Sequence, residues 1–337
     1  MKRALVAVAA LALVAASAAY ATKPGSGSST GTALVFAPNP VQDLGIQTLT
    51  DQKDAARAVP QDAYHSVTLT DLDGSGTLSG KWAVVRSTTG TPAYSTTNTF
   101  VYDRHQDQFE QVMGYYWVTQ AQHYIQSLGF GSTLPQVNKR QQLLRIDQFG
   151  GDNSFFRDDK ANITLGKGGV DDGEDAEVIV HEYGHSVQDG QVTGFGTSLE
   201  AGSIGEAFGD YLAVAVSSWA TGVPALTDEA CVADWDSTSY TSGEPHCLRR
   251  LDGDKVYPDD LAGEVHADGE IWSSALWDIR GELGPTMADT AILDGQFGFD
   301  GGTMPALARD IVGAAEGLYG SSVADEVEAV FAAHGIL

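Results

Sequence analysis

Residues 181–185 read His181-Glu182-Tyr183-Gly184-His185, and the rest of the chain is best read outward from this run. On an α-helix, positions i and i+4 lie on one face a turn apart, so both imidazoles reach a single ion from the same side. Neutral imidazole suits Zn²⁺, and Glu182 projects beside the pair, where it can take a proton from a water activated there. The preceding residues support a helix. Asp175 is a residue type that caps helix N-termini, and Val178, Ile179 and Val180 form an apolar shoulder that seats the motif in a core.

Two histidines need a third protein ligand, and residues 203–212 offer one on a second helix. Glu206 and Asp210 are four apart and share a face, so Glu206 is placed to bind the metal while Asp210 accepts the outer N–H of a ligand histidine. Ile204, Phe208, Leu212, Val214 and Val216 crowd this segment, which argues for a buried helix and against a merely solvated charged face.

These segments resemble the gluzincin zinc metallopeptidases, the thermolysin-like enzymes and above all their fungalysin-like branch. Residues 200–210 are similar to the family's glutamate-ligand helix, and Asp152-Asn153-Ser154-Phe155-Phe156 to its edge-strand substrate motif. Residues 264–272 resemble the segment that carries the family's transition-state histidine, here His266. The matches follow the family's order from about residue 100 to the C-terminus.

The resemblance implies an α+β, two-lobed thermolysin-like fold, with an N-terminal mixed β/α lobe carrying the metal helix, a mainly α-helical C-terminal lobe, and the active site in the cleft between them. It implies Zn²⁺ on His181, His185 and Glu206, Glu182 as general base, and His266 as a donor to the developing oxyanion. Asn153 and the backbone of Ser154 would hold the substrate main chain, with residues 163–166 as a strand against which an extended peptide lines up. Arg249, or its neighbour Arg250, would contact a substrate carbonyl. An acid just upstream, Asp260 or alternatively Glu264, would orient His266. The tyrosine donor that the family carries after its metal helix has no counterpart in Gly194-Phe195-Gly196-Thr197.

At the N-terminus, Lys2 and Arg3 precede an apolar run over 4–16, and Ala19-Tyr20-Ala21 is a small-x-small cleavage pattern. This reads as a secretory signal over 1–21 and predicts an extracellular protein. A flexible Gly/Ser-rich leader is expected over 22–32, the N-terminal lobe over 33–192 and the C-terminal lobe over 193–337. No other apolar stretch is long enough to cross a bilayer. The two cysteines, Cys231 and Cys247, are expected to form a disulfide in an oxidising compartment and so to restrain the loop leading to Arg249.

Asp and Glu total 45 against 19 Lys and Arg, a net charge of −26, which argues against nucleic acid or an anionic membrane as partner. Protein or peptide substrates and a monomeric chain are expected instead. Acidic Asp171, Asp172, Glu174, Asp175 and Glu177 precede the metal helix and could hold Ca²⁺. Residues 71–76 imitate the start of an EF-hand loop, but the twelfth position is Trp82 and strand patterns at 67–69 and 82–85 flank it, so a β-hairpin turn is expected. Strands are expected between 33 and 100, a long core helix over 109–128, and C-terminal helices over 270–283, 305–318 and 323–333.

Together these readings predict a secreted zinc endopeptidase. An exported aminopeptidase with the same zinc site would need an amine-binding acidic cluster that the sequence does not locate. A catalytically inactive secreted binding module would have no use for Glu182.

Overall fold

The computed structural model describes residues 29–337 apart from positions 88 and 224, so the signal read at 1–21 lies outside the described residues. Strand β1 (Ser29–Val35) is followed by α1 (Pro40–Leu44), β2 (His65–Leu72), β3 (Ala83–Val85) and β4 (Thr99–Phe100). The expected flexible leader is corrected at its end: residues 29–32 belong to β1, with Thr32 opposite Thr68 of β2 and Thr99 of β4. Pairing on both sides satisfies their backbone groups, which outweighs the low strand preference of Gly and Ser. The hairpin turn expected around residues 71–76 is present, with Leu72 bridged antiparallel to Gly80 and Asp73 N donating to Ser79 O at 2.9 Å, but the flanking strands do not pair with each other along their length. The strands β2 and β3 enter different sheets, and Asp73 shapes a turn between them by accepting from Ser75 N at 2.9 Å and Ser79 Oγ at 2.7 Å.

Helix α2 (Gln108–Ser127) is apolar on nearly all sides and runs between the strands and the metal helix. Its Phe109 ring meets Phe36 at 4.7 Å and Tyr64 at 5.5 Å, which fixes α2 to the β1 end of the molecule. Beyond it come β5 (Gln142–Arg145), β6 (Ser154–Arg157) and β7 (Asn162–Leu165), giving a four-stranded sheet in the order β3-β5-β7-β6. Three strands are parallel and β6 is the antiparallel edge. The strand β7, expected to line an extended peptide, is already paired on both sides, and its neighbour β6 has the free edge.

The metal helix α3 (Ala176–Gln191) and α4 (Leu199–Thr221) then pack face to face. A short ribbon, β8 (Cys231–Val232) with β9 (Arg249–Arg250), precedes α5 (Val265–Leu283), α6 (Pro285–Gly295), α7 (Met304–Tyr319) and α8 (Ser321–Ala333). Helix α6 was absent from the sequence expectation, although Pro285 at its first turn is a start signal. The N-terminal region is thus mixed β/α and the C-terminal region helical. Buried Asp289 of α6 accepts from Tyr124 of α2, Tyr211 of α4 and Arg280 of α5, so one carboxylate joins four helices across the two regions.

Candidate active site

Asp175 caps α3, its carboxylate accepting from Glu177 N at 2.9 Å, which sets the start of the helix and with it the phase of the motif. Two glycines then bring α3 against α4. A Cβ on Gly184 would lie 2.9 Å from Gly209 Cα, and one on Gly209 would lie 2.7 Å from His181 Nδ1. Any side chain at either position would push the helices apart and displace the ligand imidazole. Sequence reasoning overlooked both glycines, although a small residue inside the motif and another beside Asp210 were the available signal.

The side chains of His181, His185 and Glu206 converge, with one donor atom of each within 4.8 Å of the others. Glu206 Oε2 lies 3.2 Å from His181 Nε2, and Oε1 lies 3.8 Å from His185 Nε2. On its far side His181 Nδ1 meets Asp210 Oδ1 at 2.7 Å. That carboxylate accepts from Nδ1–H and turns Nε2 toward Glu206. Burial depresses the pKa of both imidazoles, but the Asp210 carboxylate reverses this at His181, raising it to about 10, while His185 falls to about 4. Burial likewise opposes ionisation of Glu206, yet the hydrogen bond and charge of His181 hold it down at about 2.

Glu182 is 6% exposed and its Oε2 has no hydrogen-bond partner. Burial pushes its pKa up to about 7. It lines a cleft of about 640 Å³ together with the three converging residues, His266, Arg249 and the edge motif Asn153-Ser154. Asn153 is exposed at the start of β6, and the Ser154 hydroxyl donates to Asp172 Oδ2.

His266 stands in the first turn of α5, half exposed, with Nε2 3.3 Å from Glu206 Oε2. The acid that orients it is Glu264, 2.7 Å from Nδ1, and not Asp260, which instead accepts from Val256 N at 2.8 Å. The reason is local: Glu264 is the N-cap of α5 and also accepts from Ala267 N at 2.9 Å, so capping already aims its carboxylate at the first turn.

The choice between the two arginines is settled by the ribbon. Cys231 and Cys247 form a disulfide, and Val232 pairs with Arg249, which turns that side chain inward. Its guanidinium grips Asp210 at 2.5 and 2.7 Å, whereas Arg250 points outward to Asp228 and Asp252. Tyr240, which the sequence did not single out, also lines the cleft and donates to Asp236 Oδ2 at 2.6 Å.

The acidic run before α3 does not form one site. Asp175 is spent as the helix cap, and Glu177 accepts from Ala233 N at 2.7 Å. Asp172 turns to the cleft, grouped with Asp152 and Asp236, while Glu174 turns the other way toward Asp54 and Glu110.

Residues 167–285 match the fungalysin metallopeptidase (M36) family. Similar proteins include the extracellular metalloproteinase mep of Aspergillus niger, 28% identical over a segment covering 32% of this chain, and that of Aspergillus flavus, 27% identical over the same share. The matched segment spans 18% of the length of these relatives. Among solved structures, the precursor of protealysin, a metalloproteinase from Serratia proteamaculans, superposes with a TM-score of 0.52 at 15% identity, covering 68% of this chain and 79% of that one. The likeness to protealysin is one of fold.

Proposed function

We propose that this fungalysin-branch zinc metallopeptidase is an exported endopeptidase that cleaves within extended polypeptide chains. The observation that carries the reading is the convergence of two imidazoles and one carboxylate in an open cleft beside a buried, unpartnered glutamate oxygen. Two nitrogens and one oxygen are a donor set that zinc takes in catalytic sites, so His181, His185 and Glu206 would hold Zn²⁺. When bound, that ion supplies a Lewis acid for the scissile carbonyl and makes a water nucleophilic near neutral pH.

The chain's own residues supply the rest. A substrate laid antiparallel along β6 would hydrogen-bond to its free edge, with Asn153 and the Ser154 backbone fixing its register. Glu182 Oε2, free of other partners, takes the proton of the attacking water and passes it to the leaving amine. His266, oriented by Glu264, donates to the oxyanion that develops on the carbonyl. Arg249 holds Asp210 in place and presents its remaining guanidinium edge to the cleft. Secretion is supported by the N-terminal pattern and by the extracellular designation of the mep relatives.

A second reading has one observation in its favour. The triplet Asp152, Asp172 and Asp236 lines the same cleft and offers the acidic cluster that capture of a free N-terminus would need. Internally quenched peptides with blocked and free N-termini separate the two. Cleavage of the blocked peptide at an internal bond is expected, with one zinc per chain. Turnover of only the free peptide, one residue at a time, would assign the chain to the aminopeptidases.

A further inference from the structure

Behind the metal helix, on the side away from the cleft, carboxylates accumulate without enough cations. One oxygen each of Asp54, Glu110 and Glu174 lies within 4.8 Å of the other two, about the widest separation that oxygens on opposite sides of a shared calcium ion would show. Glu110 is 1% exposed and among the described residues its Oε2 has no hydrogen-bond partner, although it stands in the first turn of a helix that is buried on nearly all sides. Among the described residues Asp54 Oδ1 has no hydrogen bond, its nearest cation being Arg104 Nη2 at 3.9 Å, and Oδ1 of Asp147, a residue 3% exposed, has none either. The charges of Asp147 and Asp171 are both felt at Glu110. Against these acids stands Arg104, fully buried, bonded to Glu174 and Asp51 and 3.9 Å from Asp54, with exposed His105 3.8 Å from Asp54 and the charge of Lys167 felt at Asp147. Burial and mutual repulsion push Asp171 and Glu174 up to about 8, the latter despite its bidentate arginine.

A buried, unpaired carboxylate is expensive, and a group of them is more so. Natural compensation is a cation in their midst. The donors are all oxygen, with no imidazole or thiolate, which disfavours zinc and suits a hard ion; a cage made mostly of protein carboxylates, irregular in geometry, suits calcium over magnesium.

We propose that Asp54, Glu110 and Glu174 bind one calcium ion, with Asp147 and Asp171 completing its negative surroundings. The ion ties three distant stretches together: the loop at 51–54, the first turn of α2, and the turn that ends at the Asp175 cap of α3. It would thereby hold the start of the helix that carries His181, Glu182 and His185, without touching the cleft. The inference is independent of how the cleft is used.

The test uses the full chain, stripped of metal by chelation, reloaded with one equivalent of zinc, and titrated with calcium chloride. At calcium about 100-fold above its Kd, Tm should rise by roughly 5 °C. Terbium should bind in calcium's place and show luminescence sensitised by Trp235, whose indole donates to Glu174 Oε2 at 3.0 Å. Glu110→Gln should lose both responses and, with calcium absent, melt above the wild type because a buried acid has been removed. Should that variant not fold, Asp54→Asn at the half-buried rim should weaken calcium binding by about 10-fold or more. Asp236→Asn, in the other acidic triplet, should leave the calcium response intact. No Tm response of the wild type at millimolar calcium, or a response kept by Glu110→Gln and Asp54→Asn but lost in Asp236→Asn, overturns the proposal.

Discussion

The Glu206–Asp210 pair in the cleft and the acidic group around Glu110 contain the same kind of residue, a buried carboxylate, and treat it in opposite ways. In the cleft, Asp210 is held between His181 and Arg249, and Glu206 faces three imidazoles, so both stay ionised well below the usual carboxylate range. In the acidic group, Glu110, Asp147 and Asp171 meet mainly one another, and all three are pushed upward. Burial opposes ionisation in both places. What differs is the supply of positive charge from the chain itself, and a region that lacks it depends on protons or on an ion from outside.

Four experiments would break or sharpen this contrast. The largest effect is expected from Glu182→Gln, which keeps the shape of the buried acid beside His181 and His185 and removes the proposed base. It should retain zinc and lower kcat by roughly 10²- to 10⁴-fold. Near wild-type casein hydrolysis would show that this carboxylate is structural.

Next comes Asp210→Asn, which unpairs Arg249, a side chain 13% exposed. The loss should be about 3–5 kcal/mol in stability, with zinc affinity down by roughly 10- to 100-fold. Adding Arg249→Met should recover stability but not zinc affinity, since only His181 needs the carboxylate for metal binding. Equal recovery of both by the double variant would mean that Asp210 serves the arginine alone.

His266→Ala should keep stoichiometric zinc and an unchanged Tm, lower kcat by roughly 10²- to 10³-fold and leave KM almost unaltered, because the lost donor acts chiefly in the transition state. A lowered Tm with normal turnover would instead identify a structural histidine.

The smallest effect concerns Asp234, which is fully buried beside neutral donors, Gln42 at 3.2 Å and Thr227. Burial raises its pKa from 3.8 to about 7. The folded state therefore holds this proton more tightly than the unfolded chain does, and its contribution to stability declines as pH rises from about 4 to about 7, then levels off. Asp234→Asn should match the wild type at pH 4 and melt several degrees higher at pH 8, tested by thermal melts across that range. Identical pH profiles would show that neutral donors suffice to offset burial here.

Features of short range were legible from residue spacing. The helix over the metal motif, its Asp175 cap, the shared face of Glu206 and Asp210, and the long apolar α2 all follow from side chains three or four residues apart. Reading failed where a residue had more than one possible partner. Asp260 and Glu264 are both carboxylates upstream of His266, and the start of α5 at Val265 makes Glu264 the cap that reaches it. Arg249 and Arg250 differ only in which way a two-residue ribbon turns them. The chain does turn back after β2, with Leu72 bridged to Gly80, but the longer pairings of β2 and β3 are made in different sheets with chain far away.

The amino-acid sequence by itself thus determined the shared faces of His181 with His185 and of Glu206 with Asp210, since local periodicity places side chains along a helix, while bringing the two helices together took the packing at Gly184 and Gly209. The tertiary structure alone decided how the acidic run at 171–177 was divided. Neighbours in sequence there lie on a 3₁₀ turn and a helix start whose side chains leave in different directions. Asp172 was sent to the cleft, Asp175 to the helix end, and Glu174 to Glu110 across the core. Charge in a sequence has sign and spacing, but whether it is paired depends on what folding brings beside it.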